Sequence, residues 1–254
     1  MQGDAALVLL LLQHHASVTI TDFVSHATAF HVAAQMANME ISGIFCRPDV
    51  FPSLDVNMPD KDGNTVLHLA CASCRPKAAY VMELYLMLGA DANAQNVLGR
   101  SPLHICTLLR RDDELVGRLL ACGADPNLYS IDRKTPLHIA VKRGSHACRS
   151  LFGGVGNLEQ AVALVKSGAS MTLPDAHHKR VLHASAMAHQ LLPYMTTSPQ
   201  WIPDDDVADC MVCQYTFNFF VRRHHCRRCG AVCCSDCLDQ NTCQLCVTAQ
   251  RAML

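Results

Sequence analysis

Apolar residues recur with a helical period over most of the chain, in short stretches rather than long ones. Val81-Met-Glu-Leu-Tyr-Leu-Met-Leu88 and Leu115-Val-Gly-Arg-Leu-Leu120 are the clearest, and a glycine follows soon after each. Such stretches predict short helices with a leucine-rich buried face, ended where glycine permits a left-handed turn. The apolar run Ala5 to Leu12 predicts another buried helix. Asp4 stands in front of it instead of the basic residues of a signal sequence, and it is far shorter than the roughly 20 residues a bilayer span needs. Past residue 200 the helical pattern gives way to closely spaced cysteines.

The helical part repeats itself. Lys134-Thr-Pro-Leu-His-Ile-Ala140 has variants at Ala27-Thr-Ala-Phe-His-Val-Ala33, Asn64-Thr-Val-Leu-His-Leu-Ala70, Arg100-Ser-Pro-Leu-His-Ile-Cys106 and Lys179-Arg-Val-Leu-His-Ala-Ser185. Their histidines, at 31, 68, 104, 138 and 183, are 37, 36, 34 and 45 residues apart. A second signature falls between them: Gly89-Ala-Asp-Ala-Asn93 and Gly123-Ala-Asp-Pro-Asn127, with weaker versions at Gly168, His15 and Leu54. Thr or Ser caps the first helix in four of these units, and in two Pro takes the first helical position, where its missing N–H costs nothing.

Two signatures recurring in register resemble the ankyrin repeat, and the domain expected is 1–190. The first repeat lacks its opening helix and the last its second. The 45-residue spacing predicts an insertion near 145–156, and a linker is expected over 191–200. The resemblance gives the recurring histidines hydrogen-bonding work within and between repeats. One repeat cannot bury its own apolar face. A chain that opens on half a repeat is therefore expected to be the C-terminal portion of a longer protein.

Composition narrows the chemistry. Of 254 residues half are apolar and 17% charged, which allows one or two ordered domains, and a net charge of −1 gives no global field toward nucleic acid or membrane. Nine of the 15 cysteines lie between Cys210 and Cys246, a distribution that fits metal ligation in a reducing compartment better than a secreted disulfide scaffold. Cys71-Ala-Ser-Cys74 has redox spacing but sits inside a repeat and reads as structural. No nucleophile–base pairing or phosphate loop emerges, so the chain does not read as an enzyme.

Cys210, Cys213, Cys226, Cys229, Cys234, Cys237, Cys243 and Cys246 form four Cys-x-x-Cys pairs, enough for two tetrahedral Zn2+ ions; spacing leaves open which pairs share an ion. Structural zinc contributes about 10–16 kcal/mol in small domains. Around the pairs lie Trp201-Ile-Pro-Asp204 and Arg222-Arg-His-His-Cys-Arg-Arg-Cys-Gly230. These motifs resemble the FYVE domain, over residues 201–250. The fold expected is mostly α, an ankyrin-repeat solenoid followed by a small cross-braced two-zinc FYVE-type finger.

What that resemblance implies is specific. Arg222, Arg223, His224, His225 and Arg227 would engage the phosphates of phosphatidylinositol 3-phosphate, and Asp204 the inositol hydroxyls. Trp201 would pack and orient its segment. Crossed ligation would pair Cys210, Cys213, Cys234 and Cys237 on one ion and Cys226, Cys229, Cys243 and Cys246 on the other, leaving Cys233 in the core. Phe219 and Phe220 would enter the membrane, each contributing about 1.5–3 kcal/mol, with Phe217 in the core. Charged histidines would tighten binding as pH falls. One departure stands out: where the family has the arginine of its third motif this chain has Asn241, and the Cys237-to-Cys243 segment is short, so a strand and a phosphate contact are expected to be missing.

Ankyrin repeats with a C-terminal FYVE finger resemble the rabankyrin family. That kinship implies a non-enzymatic, cytoplasmic adaptor, peripheral on early endosome membranes, with a protein partner on the ankyrin surface such as a Rab GTPase, a role in endocytic trafficking, and dimerisation as a means of raising membrane affinity. The alternatives are a RING-like ubiquitin ligase and a protein-binding finger without lipid affinity. Nucleic-acid binding is not expected, for want of an extended basic surface.

Overall fold

The computed structural model describes residues 4–47, 55–109, 113–147, 156–177, 179–181, 190–196, 201–218, 221–227, 229–240 and 242–251. The chain divides into two compact units, Met1–Ile131 and Asp132–Leu254.

The first unit opens with α1 (Ala5–Gln13), whose N-terminus is capped by Asp4 accepting from the Ala6 and Leu7 amides. Three helix pairs follow: α2 (Ala29–Gln35) with α3 (Met39–Phe45), α4 (Val66–Ala72) with α5 (Ala78–Met87), and α6 (Pro102–Leu109) with α7 (Asp113–Ala121). Each first helix packs on its own second helix, α2 also packs on α4 and α4 on α6, the ankyrin arrangement. The core is built from Phe30, Leu67 and Leu103 of the first helices and Met82, Tyr85, Leu115 and Leu119 of the second. Tyr85 packs edge-on against Phe30 at 5.0 Å, and its hydroxyl shares a 2.7 Å hydrogen bond with Ser42. The uncovered side of α1 leaves Leu7, Leu10 and Leu11 at 52, 51 and 50% exposure.

The recurring histidines tie the repeats together. His31 Nδ1 accepts from the Thr28 amide at 3.2 Å, and His68 Nδ1 from the Thr65 amide at 3.2 Å. An Nδ1 that accepts leaves the proton on Nε2. His31 Nε2 donates to the Met58 carbonyl at 3.0 Å, and His68 Nε2 to the Arg100 carbonyl at 2.9 Å, each in the next repeat. Asparagine makes a second ladder. Asn57 donates to the Gly89 carbonyl and accepts from the Asp91 amide; Asn93 does the same with Gly123 and Asp125.

The turns between repeats stack tightly enough to require glycine. Gly99 has φ 66°, and a Cβ there would lie 2.8 Å from the Ile131 nitrogen, which itself donates to the Leu98 carbonyl. Gly89, at the end of α5, has φ 86° but open space around it. Its role is the left-handed turn that lets the Ala90 amide reach back to the Tyr85 carbonyl.

The second unit begins with α8 (Pro136–Ala147) and α9 (Gly156–Lys166), packed on each other. Thr135 and His138 repeat the cap, and His138 Nε2 reaches the Lys179 carbonyl at 3.3 Å across the long spacing. Most of the expected insertion, 148–155, lies outside the described residues, as does His183. Within the stretch read as a linker, a 3-10 helix at Leu192–Tyr194 packs against α9 and against the final helix, α10 (Gln244–Arg251). Leu191 and Leu192 are buried there, Lys166 Nζ lies 5.2 Å from the Tyr194 ring centre, and Thr196 donates to the Lys166 carbonyl.

Two small antiparallel pairs complete the unit. β1 (His224–His225) pairs with β2 (Val232–Cys233), and β3 (Leu238–Asp239) with β4 (Thr242–Cys243). The short Cys237-to-Cys243 segment thus still carries an antiparallel pair, Leu238 opposite Cys243 and Asp239 opposite Thr242, with Gln240 after β3 at φ 44°. The expected loss of a strand is corrected to that extent.

Candidate metal centre and basic strand

The finger's cysteines gather into two sets. Cys210, Cys213, Cys234 and Cys237 form one, Cys226, Cys229, Cys243 and Cys246 the other, and within each set every sulfur lies within 4.8 Å of the rest. The Cys210–Cys213 turn is held by the Cys210 amide donating to the Tyr215 carbonyl, and the Cys226–Cys229 turn by the Cys226 amide donating to Ala231. Cys234 precedes and Cys237 ends the 3-10 turn Ser235–Cys237, while Cys243 ends β4 and Cys246 lies in α10. Pairing of the first cysteine turn with the third, and of the second with the fourth, interleaves the two sets along the chain.

Distances test whether zinc fits. An ion about 2.3 Å from four sulfurs at tetrahedral angles sets the sulfurs about 3.8 Å apart. Cys213 and Cys234 are 3.8 Å apart, Cys229 and Cys243 3.8 Å, and Cys226 and Cys246 3.9 Å. Those separations are far beyond the roughly 2.05 Å of a disulfide. Backbone amides supply the second layer: Val212 and Cys234 donate to the Cys210 sulfur, and Cys243 to that of Cys226.

Proton sharing points the same way. Burial raises the Cys210 thiol, but the amides of Cys213, Cys234 and Val212 outweigh it and bring it to about 7. In the second set a hydrogen bond from Cys229 brings Cys226 to about 6 and raises Cys229 itself, while Cys243 is pushed down and Cys246 up by the same exchange. Four thiols this close cannot all ionise unless a cation offsets them. The two sets therefore fit two Zn2+ ions, each supplying a four-way cross-link where a small domain has little core. Cys233 is buried on β2 outside both sets, its thiol against the Ala231 carbonyl.

Zinc binding braces the strand that carries the basic residues. Cys226 follows β1 directly, and the β1–β2 register places His224 opposite Cys233 and His225 opposite Val232. Arg222, Arg223 and Arg227 are exposed. Arg222 and Arg227 have no hydrogen-bond or ion-pair partner among the described residues. Arg223 donates Nε–H to the Val207 carbonyl at 3.3 Å and lies over the Phe217 ring.

The Trp201-to-Asp204 segment folds back onto β1. Trp201 stacks on His225 with ring centres 4.8 Å apart and planes 14° from parallel, although the indole is 62% exposed. His225 Nε2 donates to the Ile202 carbonyl at 2.8 Å and lies 3.5 Å from the Asp204 carboxylate. Trp201, Asp204 and His225 are thus one cluster. Phe219, Phe220, Arg228 and Asn241 lie outside the described residues.

Sequence reasoning missed two features here. Motif matching presents the arginines as equivalent, whereas among those described Arg223 alone is tethered, through Val207 and Phe217. It also gives no sign of the neighbours of His225, which are Ile202, Trp201 and Asp204. The spacing of Phe217 before the arginines was the available signal, but a core phenylalanine and one beneath a guanidinium read alike. Among the described residues no helix is long and apolar enough to cross a membrane.

Comparison with known proteins agrees with this geometry. The FYVE zinc finger family matches residues 200–252, and the family of ankyrin repeats in three copies matches residues 77–160. The chain is 38% identical over 85 residues to zinc finger FYVE domain-containing protein 26 of Ailuropoda melanoleuca, covering 32% of this chain and 3% of that protein. It is 44% identical over 64 residues to the FYVE zinc finger domain protein UPA1 of Mycosarcoma maydis, covering 25% and 5%. Over 42 residues it is 50% identical to zinc finger FYVE domain-containing protein 16 of Mus musculus, covering 16% and 3%. The chain thus spans a small fraction of these relatives' length. Both matched families are binding modules rather than catalytic ones. The protein is mostly helical, with ankyrin repeats followed by a cysteine-rich FYVE zinc finger.

Proposed function

We propose that this chain is a non-enzymatic membrane-trafficking adaptor whose finger binds phosphatidylinositol 3-phosphate on the cytosolic face of early endosomes. One observation carries the reading: three exposed arginines flank β1, which runs directly into Cys226 of the second four-cysteine set, and only one N–H among them, Arg223 Nε–H, is taken by a protein acceptor among the described residues. Guanidinium forks suit phosphate oxygens, and a zinc-braced strand offers them with little reorganisation. Asp204, 55% exposed beside His225, would accept from an inositol hydroxyl and disfavour headgroups carrying further phosphates there. Phe219 and Phe220 would add an apolar contact with the bilayer.

The ankyrin repeats would hold a protein partner, and the combination of modules favours a rabankyrin-like role in endocytic traffic with a Rab GTPase as that partner. A single headgroup site anchors weakly, so dimerisation or the ankyrin partner would raise the effective affinity. Asn241 removes one charge-assisted contact, worth about 1.5–3 kcal/mol, so affinity should fall about ten- to a hundredfold below that of a finger with all three motifs.

Flotation with vesicles of phosphatidylcholine containing phosphatidylinositol, its 3-phosphate or its 3,5-bisphosphate tests the reading. The 3-phosphate vesicles should carry the protein up, and Arg222→Ala with Arg227→Ala should leave it behind. Binding that ignores the 3-phosphate would favour a finger that serves protein contacts instead.

A further inference from the structure

Phe217 differs from the rest of the finger's buried residues in that its ring faces a charge. It is 8% exposed, and the Arg223 guanidinium carbon lies 5.1 Å from its ring centre. The Val207 carbonyl takes the Nε–H of the same group at 3.3 Å. One of five guanidinium N–H groups is thereby used. The four on the terminal nitrogens have no partner among the described residues. A cation over a ring face is held by the ring quadrupole, and the carbonyl fixes its rotation about that contact. Arg222 and Arg227 have no such tether among the described residues.

We infer that Phe217 is a positioning residue, which with the Val207 carbonyl holds Arg223 ready for the phosphate monoester of an inositol lipid. The inference rests on the lipid reading above. A free arginine side chain loses much rotamer freedom when a ligand fixes it, and a side chain fixed beforehand loses less. The zinc sets brace the strand; the ring and carbonyl set one side chain on it.

The test uses the zinc-loaded full chain and phosphatidylcholine vesicles with and without phosphatidylinositol 3-phosphate. Phe217→Leu, with Phe217→Met as a second apolar replacement, fills the core but removes the ring face. Either should keep two zinc ions and bind about two- to fivefold more weakly, whereas Phe217→Tyr should bind like the parent. In an Arg223→Ala background Phe217→Leu should have no further effect, because the group it positions is gone. Unchanged affinity in both apolar variants, an equal loss in the Arg223→Ala background, or loss of zinc from both would make Phe217 ordinary core and overturn the inference. If Arg223→Ala itself does not weaken binding, or the parent ignores the 3-phosphate, the lipid reading fails and the inference falls with it. A loss with Arg223→Ala but none with the apolar variants sinks the inference alone.

Discussion

Replacing His68 with phenylalanine tests how the repeats are joined. The substitution keeps the ring and most of the volume at a position only 1% exposed. It removes the acceptor for the Thr65 amide, at 3.2 Å, and the donor to the Arg100 carbonyl, at 2.9 Å. Each buried polar group left without a partner costs about 1–3 kcal/mol, so the loss should be about 2–4 kcal/mol, since the Arg100 end is only partly buried. Burial also lowers the His68 pKa, and it does the same at His138. A second proton would sit on Nδ1, against the cap amide that already donates to it. A depressed folded-state pKa means that the unfolded chain binds more protons as pH falls below about 6.5, so stability is present above that value and is lost below it. The loss is at most about 1.4 kcal/mol per pH unit for each histidine. The His68→Phe variant has no such dependence at this position. The gap between parent and variant should therefore be widest at pH 7.5 and narrower at pH 5.5. Hydrogen exchange of the α4 and α6 amides, corrected for intrinsic rates, reads the repeats without interference from zinc release. A loss below about 0.5 kcal/mol, or a gap that does not change with pH, would refute the inter-repeat role derived for this histidine.

Other substitutions probe the same geometry. Gly89→Ala should cost about 1–2 kcal/mol through its left-handed backbone alone, and Gly99→Ala distinctly more, because its Cβ also meets the Ile131 nitrogen; urea denaturation giving equal losses would contradict the stacked-turn account. Cys226→Ser should lower tightly held zinc from two ions per chain toward one, whereas Cys233→Ser should keep both; zinc loss from the latter would place Cys233 among the ligands. Leu192→Ala, at 1% exposure, should cost about 2–5 kcal/mol and raise hydrogen exchange in both α9 and α10; a change confined to one of them would mean that the 3-10 helix does not couple the two.

The repeats were legible because two signatures recur in phase, and because Thr-x-x-His puts a cap and an inter-repeat donor on one turn. The metal was legible from four Cys-x-x-Cys pairs, since few other arrangements use so many thiols so closely. Which pairs meet was not, because spacing along a chain does not order loops in space; the family resemblance supplied that, and the sulfur separations agree. The tether on Arg223 was invisible for another reason. Its partners are a backbone carbonyl sixteen residues away and a ring that any core position would also accept. The docking of Leu191 and Leu192 was likewise hidden, because two leucines in a short irregular stretch carry no period. Asn241 lay in plain view as a missing arginine, but the pairing of β3 with β4 was not announced by so short a segment.

The central claim is that a zinc-braced strand of arginines recognises one inositol phosphate. Surface plasmon resonance of the zinc-loaded chain on supported bilayers, with phosphatidylinositol 3-phosphate in one channel and phosphatidylinositol in the other, tests it most directly. Saturable binding to the first alone, abolished by stripping zinc, is the result predicted. Equal responses in the two channels, or binding that survives complete removal of the metal, would contradict it.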